Sequence, residues 1–129
     1  MRITGIHYGI LRIPLRTPFK TALRTVETIE DVIVRIETDS GHVGYGEAPP
    51  TVAITGDSLE SILEALRGSI GPALLGRDIL AIDGNCQTVQ NAVLKNTSAK
   101  AAAEIALYDL FAQQAGKPLY QVLGGGQPR

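Results

Sequence analysis

The chain has 129 residues, with 12 basic and 13 acidic side chains and a single cysteine, Cys86. This near-zero net charge argues against a general nucleic-acid or membrane-surface binder, because such proteins need an excess of basic residues to engage phosphates. No apolar run approaches the roughly 20 residues that cross a bilayer, and one cysteine cannot form an internal disulfide, so we expect a soluble cytoplasmic protein. The length suits one domain and is too short for a complete barrel enzyme.

The first half of the chain predicts three strands. Alternation in the second strand places Val32, Val34 and Ile36 on one face, which is typical of a half-buried strand. Asp39 and Gly41 provide the turn that follows it. The strands are predicted at residues 3–15, 28–38 and 42–48, with loops at residues 16–24 and 51–56. The pattern indicates a three-stranded antiparallel meander.

About three helices are predicted to follow, which gives an α+β fold. Asp57 and Glu60 have the spacing of a capping box and predict the start of the first helix. The third helix is apolar nearly all round, and Gly116 suits a left-handed backbone at its end. The first helix is predicted to start at residue 57, with Gly71-Pro72 and Gly76 marking its end, and the others to cover residues 79–94 and 98–114.

Few residues of the chain suggest chemistry of their own. His7 and His42 lack cysteines or carboxylates at metal-ligand spacing, and no nucleophile–base pair accompanies them. The carboxylate of Glu47 could hold the adjacent loop or a partner's arginine, although we favour a structural role. Asp109 lies among apolar neighbours and needs a partner, which could be a buried salt bridge.

A surface ion pair is also expected on the third helix. Lys100 and Glu104 are four residues apart, so they can pair on its solvent side.

The two predicted loops carry the most informative residues. The first loop has three cations and an aromatic side chain, and the second has two apolar side chains. They are Arg16, Phe19, Lys20 and Arg24 in the first loop, and Val52 and Ile54 in the second. Cations beside an exposed aromatic ring would suit an anionic small molecule. The alternative is that the cations are solvated surface charges and the ring belongs to the core.

Several runs of the sequence together resemble one known family. They are Pro18-Phe-Lys-Thr-Ala-Leu-Arg24, Gly44-Tyr-Gly-Glu-Ala-Pro-Pro50, Ile54-Thr-Gly-Asp57, Ala106-Leu-Tyr-Asp109 and Pro118-Leu-Tyr-Gln-Val-Leu-Gly-Gly125. The chain resembles, over essentially its whole length, the N-terminal capping domain of the enolase superfamily, in the muconate-lactonizing-like subgroup. Its first and third runs resemble the dipeptide epimerases of the L-Ala-D/L-Glu type.

The resemblance implies a cap, residues 1–123, followed by a linker, residues 124–129, that leads to a (β/α)-barrel absent from this sequence. In such enzymes Mg²⁺, held by barrel carboxylates, stabilises an enediolate while barrel lysines remove and return the α-proton. The expected partners are the barrel of the same polypeptide and a small acidic dipeptide, with a homo-oligomer as the full-length form. The chain alone is expected to hold no catalytic or metal-binding residue and to be inactive.

Three substrate-binding residues follow from the resemblance. Arg24 matches a cap-loop arginine that meets the side-chain carboxylate of the substrate's glutamate, which its fork of donors fits. Phe19 and Ile54 match positions that line the pocket and exclude water when the cap closes. Asp109 matches a cap residue with a structural role.

Two other interpretations remain open. The chain could be the cap of a cycloisomerase, an o-succinylbenzoate synthase or an N-acyl amino acid racemase, because a fold does not determine its chemistry. It could also be a stand-alone binding module without catalytic activity.

Overall fold

A computed structural model describes residues 1–22 and 25–126. Three strands come first: β1 (Ile3–Lys20), β2 (Thr25–Thr38) and β3 (Val43–Ala48). Helical segments follow: α1 (Val52–Thr55), α2 (Leu59–Ala65), a π-helical turn (Leu66–Ile70), α3 (Gly71–Leu74), α4 (Ile82–Ala92), α5 (Thr97–Ala115) and α6 (Leu119–Val122). The predicted α+β class, a meander followed by helices, is confirmed.

The sheet is antiparallel with β2 at its centre, in the order β1-β2-β3. Val34 lies opposite Tyr8 of β1 and Gly46 of β3. The predicted alternation of β2 is confirmed, because Val32, Val34 and Ile36 are fully buried beneath the helices. Burial of their apolar side chains is the main favourable contribution of the sheet to folding. The intervening residues of β2, including Ile33, lie on the opposite face of the sheet, which we call the outer face.

The predicted loop at residues 16–24 is wrong in its first part, because β1 continues to Lys20. Pairing with β2 is regular up to Pro14 and resumes where Phe19 lies opposite Val26. Between these two positions, residues 15–18 lie opposite Glu27 alone, so the hairpin bulges near its tip. An edge strand tolerates proline and bulges because its free side needs no partner. Pairing with β2 therefore extends β1 despite its prolines.

Helix α5 lies unusually close to strand β3. A Cβ atom added to Gly44 would collide with the carbonyl oxygen of Ala106, and one added to Gly46 would collide with that of Ala102. The helix face that meets the strand is made of small residues, and Ala102 and Ala106 are fully buried. The backbones of helix and strand thus pack without intervening side chains.

Side chains of α5 also bind the free edge of β3. The backbone N–H of Tyr45 donates to Asp109 Oδ2 at 2.9 Å, and Gln113 Nε2 donates to the carbonyl of Val43 at 2.9 Å. Gln113 Nε2 also donates to Asp109 Oδ1 at 3.0 Å. The expectation of a buried salt bridge at Asp109 is therefore wrong, since the partners found for this half-buried carboxylate are N–H groups rather than a cation.

The first long helical run begins one residue later than predicted. Ser58, not Asp57, is the N-cap, because its backbone is extended and its hydroxyl accepts the N–H of Ser61 at 3.1 Å. Ser61 completes the capping box by accepting the N–H of Ser58 at 2.9 Å. The carboxylate of Asp57 instead accepts the N–H of Ser98 in the first turn of α5.

Of the two predicted end signals of this run, the Gly71-Pro72 pair is wrong and Gly76 is confirmed. The helix widens into the π-helical turn, where the N–H of Gly71 donates to the carbonyl of Leu66, and then continues as α3. Proline lacks an N–H and clashes with a carbonyl of the preceding turn, so a wider turn accommodates it. The run ends at Leu74, and Gly76 beyond it has a positive φ of 81°.

The predicted second and third helices correspond to α4 and α5. Gly116 has the expected left-handed backbone at the end of α5. The predicted ion pair on α5 is wrong, because Lys100 is only 8% exposed and Glu104 instead accepts Gln90 Nε2 at 2.9 Å. In the described part of the chain, no helix has both the length and the apolar character required to cross a membrane.

We predict that Gly46→Ala destabilises the chain by about 3 kcal/mol, the upper end of the usual cost of overpacking, because the atom in the way is backbone. Gly9→Ala is the matched control, since an added Cβ at this exposed strand position meets no atom within 4 Å. Urea unfolding of the two variants and the parent chain measures both changes. Equal stabilities for the two variants would contradict the close approach of α5 to β3.

Candidate functional site

The tip of the β1–β2 hairpin and the end of β3 enclose an apolar groove. We call it the hairpin groove, and its volume is about 590 Å³. Apolar side chains from all three strand ends form most of its wall, with two acidic residues and a threonine. The lining residues are Leu15, Phe19, Val26, Thr28, Ile29, Glu30, Asp31, Pro49 and Pro50. The bulge of β1 and the proline pair thus bring part of the first predicted loop and the residues just before the second to one concave surface.

Phe19 is the most exposed aromatic side chain of this surface. It lies near the end of β1 opposite Val26 and is 59% exposed. The alternative that Phe19 is a core residue is therefore wrong. Arg16 and Lys20, on the same strand end, are also exposed. All three side chains are thus open to solvent, and their suitability for an anionic molecule stays a prediction.

The second predicted loop contains a short helix, which the sequence analysis missed. Residues 52–55 form α1, a single turn in which Thr55 N–H donates to the carbonyl of Thr51 at 2.8 Å. Ile54 lies in this turn and is 61% exposed, as is Val52. Ile54 does not line the hairpin groove, but α1 directly follows the proline pair that does. A one-turn helix lies below the length that periodicity in the sequence can detect.

Arg24, the third predicted site residue, lies outside the described residues. Its role in binding the side-chain carboxylate of a glutamyl substrate therefore stays a prediction.

Two carboxylates on the outer face of the sheet form a pair that the sequence analysis did not predict. Glu47 lies opposite Ile33, and Asp31, two residues before Ile33 on β2, is its diagonal neighbour. A hydrogen bond to Asp31, assisted by partial burial and by the negative charge of Asp31, raises the pKa of Glu47 above its ordinary value of 4.5. The partner of Glu47 within the described chain is thus another acid.

Glu30, which precedes Asp31 on β2, is paired with a basic residue. Glu30, also on the groove wall, accepts Arg12 Nε at 2.7 Å. Strand alternation could have placed Asp31 and Glu47 on the same face of the sheet as Ile33. It could not have shown that they are neighbours, because that depends on the register of β2 against β3.

Two observations concern the metal-binding and thiol chemistry of the described residues. Among residues 1–22 and 25–126, no three His, Cys, Asp or Glu side chains cluster as a metal ion would require. Burial, with smaller contributions from Glu104 and Asp83, raises the pKa of Cys86 to about 11, so its thiol is protonated at neutral pH. The hairpin groove, whose lining is mostly apolar, can therefore hold an apolar group.

Comparison with known proteins identifies the family. The family described as mandelate racemase / muconate lactonizing enzyme, N-terminal domain, matches residues 8–124. The chain belongs to this family. A relative of this N-terminal domain, the L-Ala-D/L-Glu epimerase of Bacillus subtilis, is 54% identical to it over 125 residues, which are 97% of this chain and 34% of the relative.

Solved structures agree with this assignment. A substrate-liganded complex of the L-Ala-D/L-Glu epimerase from Bacillus subtilis matches the N-terminal domain with a TM-score of 0.93 and 53% identity, over 95% of this chain and 34% of that one. A dipeptide epimerase from Cytophaga hutchinsonii, complexed with Mg and D-Ala-L-Val, matches with a TM-score of 0.93 and 38% identity, over 100% of this chain and 35% of that one. The N-terminal domain thus spans about a third of the length of these relatives.

We predict that Glu47→Gln and Asp31→Asn each make stability less dependent on pH. The folded domain holds the proton of Glu47 more tightly than the unfolded chain, so its stability falls as the pH rises above about 4.5. Either substitution removes the like-charge pair and with it this fall. Because Glu47 is exposed, the expected gain at pH 7 relative to pH 4.5 is below about 1 kcal/mol.

Urea unfolding at a series of pH values between these limits measures the effect. Curves of unfolding free energy against pH that run parallel for the parent and both variants would contradict the pairing of the two acids.

Proposed function

We propose that this chain is the substrate-specificity cap of a Mg²⁺-dependent dipeptide epimerase of the L-Ala-D/L-Glu type. The observation that carries the proposal is the 54% identity to the L-Ala-D/L-Glu epimerase of Bacillus subtilis over 97% of the chain. The hairpin groove supports it, because a cap must offer a concave, largely apolar surface to a small substrate. Residues 1–123 form the cap, and residues 124–129 begin the linker to a barrel domain.

In this proposal the chain binds the substrate, and the barrel performs the chemistry. Mg²⁺, bound by barrel residues, would supply positive charge to the reacting carboxylate. Arg24 binds the side-chain carboxylate of the substrate's glutamate through two parallel N–H donors. Phe19 and Ile54 cover the substrate and exclude water, which strengthens the electrostatic interactions inside the closed site. The exposure of both apolar side chains in the isolated cap supports this role.

The cap alone is proposed to be inactive, with the barrel of the same polypeptide as its partner. The physiological form is proposed to be a cytoplasmic homo-oligomer of the full-length chain. The single thiol, Cys86, suits a reducing compartment.

The direct test is a chimera in which this chain replaces the matching 125 residues of the Bacillus subtilis epimerase. We expect the chimera to epimerise L-Ala-L-Glu in the presence of Mg²⁺ and the isolated chain to show no turnover. Turnover by the chain alone, or a folded chimera without epimerase activity, would contradict the proposal. A panel of N-acyl amino acids and muconate lactones assayed beside the dipeptides distinguishes the other caps of the superfamily.

A substitution in this chimera tests whether Arg24 binds the substrate's carboxylate. We predict that Arg24→Ala lowers kcat/KM for L-Ala-L-Glu by about 1–3 kcal/mol, or roughly five- to 150-fold, because it removes a charged hydrogen bond. The value for the neutral dipeptide L-Ala-L-Leu should change little. Arg67→Ala is the control, since Arg67 is an exposed arginine paired with Glu64 on the π-helical turn.

Selectivity for the acidic dipeptide decides the outcome of this test. Equal losses on both dipeptides, or the same loss in the Arg67 variant, would remove Arg24 from the site.

A further inference from the structure

Helix α1 projects from the domain with almost no support of its own. None of its four residues is buried, and Val52 and Ile54 are each 61% exposed. Its N-cap, Thr51, makes no capping hydrogen bond with its side chain. A single helical turn is not stable in water on its own, because nucleation fixes several residues for one hydrogen bond. Something outside α1 must therefore hold it in place.

Burial changes abruptly immediately after α1. Gly56, with a positive φ of 78°, ends the turn, and the next residue, Asp57, is only 7% exposed. The carboxylate Oδ2 of Asp57 accepts the N–H of Ser98 at 3.2 Å, across 41 positions of the sequence. Ser98 lies in the first turn of α5, where the helix dipole and unpaired N–H groups favour a negative charge.

The same residue is joined to α1 through its backbone. The N–H of Asp57 donates to Thr55 Oγ1 at 3.2 Å, and this hydroxyl lies 3.1 Å from Thr51 Oγ1 at the start of the turn. Asp57 thus connects both ends of α1 to the N-terminus of α5. Because α5 packs directly on β3, the connection ties α1 to the most closely packed part of the domain.

A neighbouring hydrogen bond holds the N-terminus of α5 in the position that this contact requires. Asn96, which caps α5 from a left-handed backbone with φ of 50°, donates from Nδ2 to the carbonyl of Ser61 at 2.8 Å. A side chain in that strained backbone region persists only where its surroundings hold it. The end of α5 is therefore fixed to α2, and Asp57 binds a rigid support.

We propose that Asp57 is a positioning residue, which holds α1 so that Ile54 faces the substrate pocket. This inference rests on the proposed function, because the pocket is shared with the barrel. Without the carboxylate, α1 samples other positions, and only a fraction of molecules has the binding-competent arrangement. A ligand that binds only this fraction shows an apparent affinity lowered by the same factor, whereas saturating substrate restores the full rate.

The test uses the chimera described above. Asp57→Ala should raise KM for L-Ala-L-Glu about tenfold while kcat stays within twofold of the parent. Asp57→Asn keeps an oxygen that can accept the N–H of Ser98, so its KM should lie within threefold of the parent. The matched control is Asp78→Ala, which removes a carboxylate that accepts a backbone N–H, that of Leu80 at 3.0 Å, outside α1 and the hairpin groove.

Hydrogen exchange provides a measurement that does not depend on turnover. In Asp57→Ala, the hydrogen-bonded amides of Ile54, Thr55 and Gly56 should exchange at least tenfold faster than in the parent and in the Asp78 variant. A fall in kcat with KM unchanged, an unchanged exchange rate, or the same KM rise in the Asp78 variant would overturn the proposal. A chimera without epimerase activity would contradict the proposed function instead. The exchange rates would then show by themselves whether Asp57 holds α1 in place.

Discussion

The rest of the domain depends on the direct contact between the backbones of α5 and β3. At this contact Gly44 and Gly46 of the strand have no side chain, and Ala102 and Ala106 of the helix have only a methyl group. Dispersion forces fall off steeply with distance, so this approach gives a dense, rigid junction. The junction fixes the end of β3, and with it the proline pair that walls the hairpin groove. The segments that line a binding groove need such a support, because geometry in a binding site must hold to within about an ångström.

The polar contacts extend this junction towards the surface. Asp57 binds the first turn of α5, and Asp109, further along the same helix, binds the edge of β3. Both accept backbone N–H groups, and neither is paired with a cation within the described residues. An N–H has a fixed direction, whereas a lysine side chain is flexible, so these contacts define geometry more sharply than surface ion pairs. Asp57 and Asp109 thus join separate elements of the domain, although the sequence suggested a helix cap for Asp57 and a salt bridge for Asp109.

Local patterns were sufficient for the architecture of the domain but insufficient for its site. Alternation in β2 and the glycine after α5 are signals carried by neighbouring residues, and both predictions are confirmed. The extension of β1, the pairing of Asp31 with Glu47 and the reach of Asp57 to Ser98 all depend on residues distant in sequence. A capping pattern shows that a carboxylate stands before a helix, but only the folded chain determines which helix it caps. The groove could not be predicted, because it exists only where three strand ends meet.

The binding of α5 side chains to β3 also affects how the domain behaves beside other copies of itself. An unpaired strand edge presents N–H and C=O groups that can recruit another strand, which is a common route to aggregation. On β3, Asp109 already accepts the N–H of Tyr45 and Gln113 donates to the carbonyl of Val43, so these two groups are not available for such recruitment. The opposite edge, β1, is interrupted by prolines and a bulge. The helix that packs on β3 therefore also limits the pairing of this edge with a second strand.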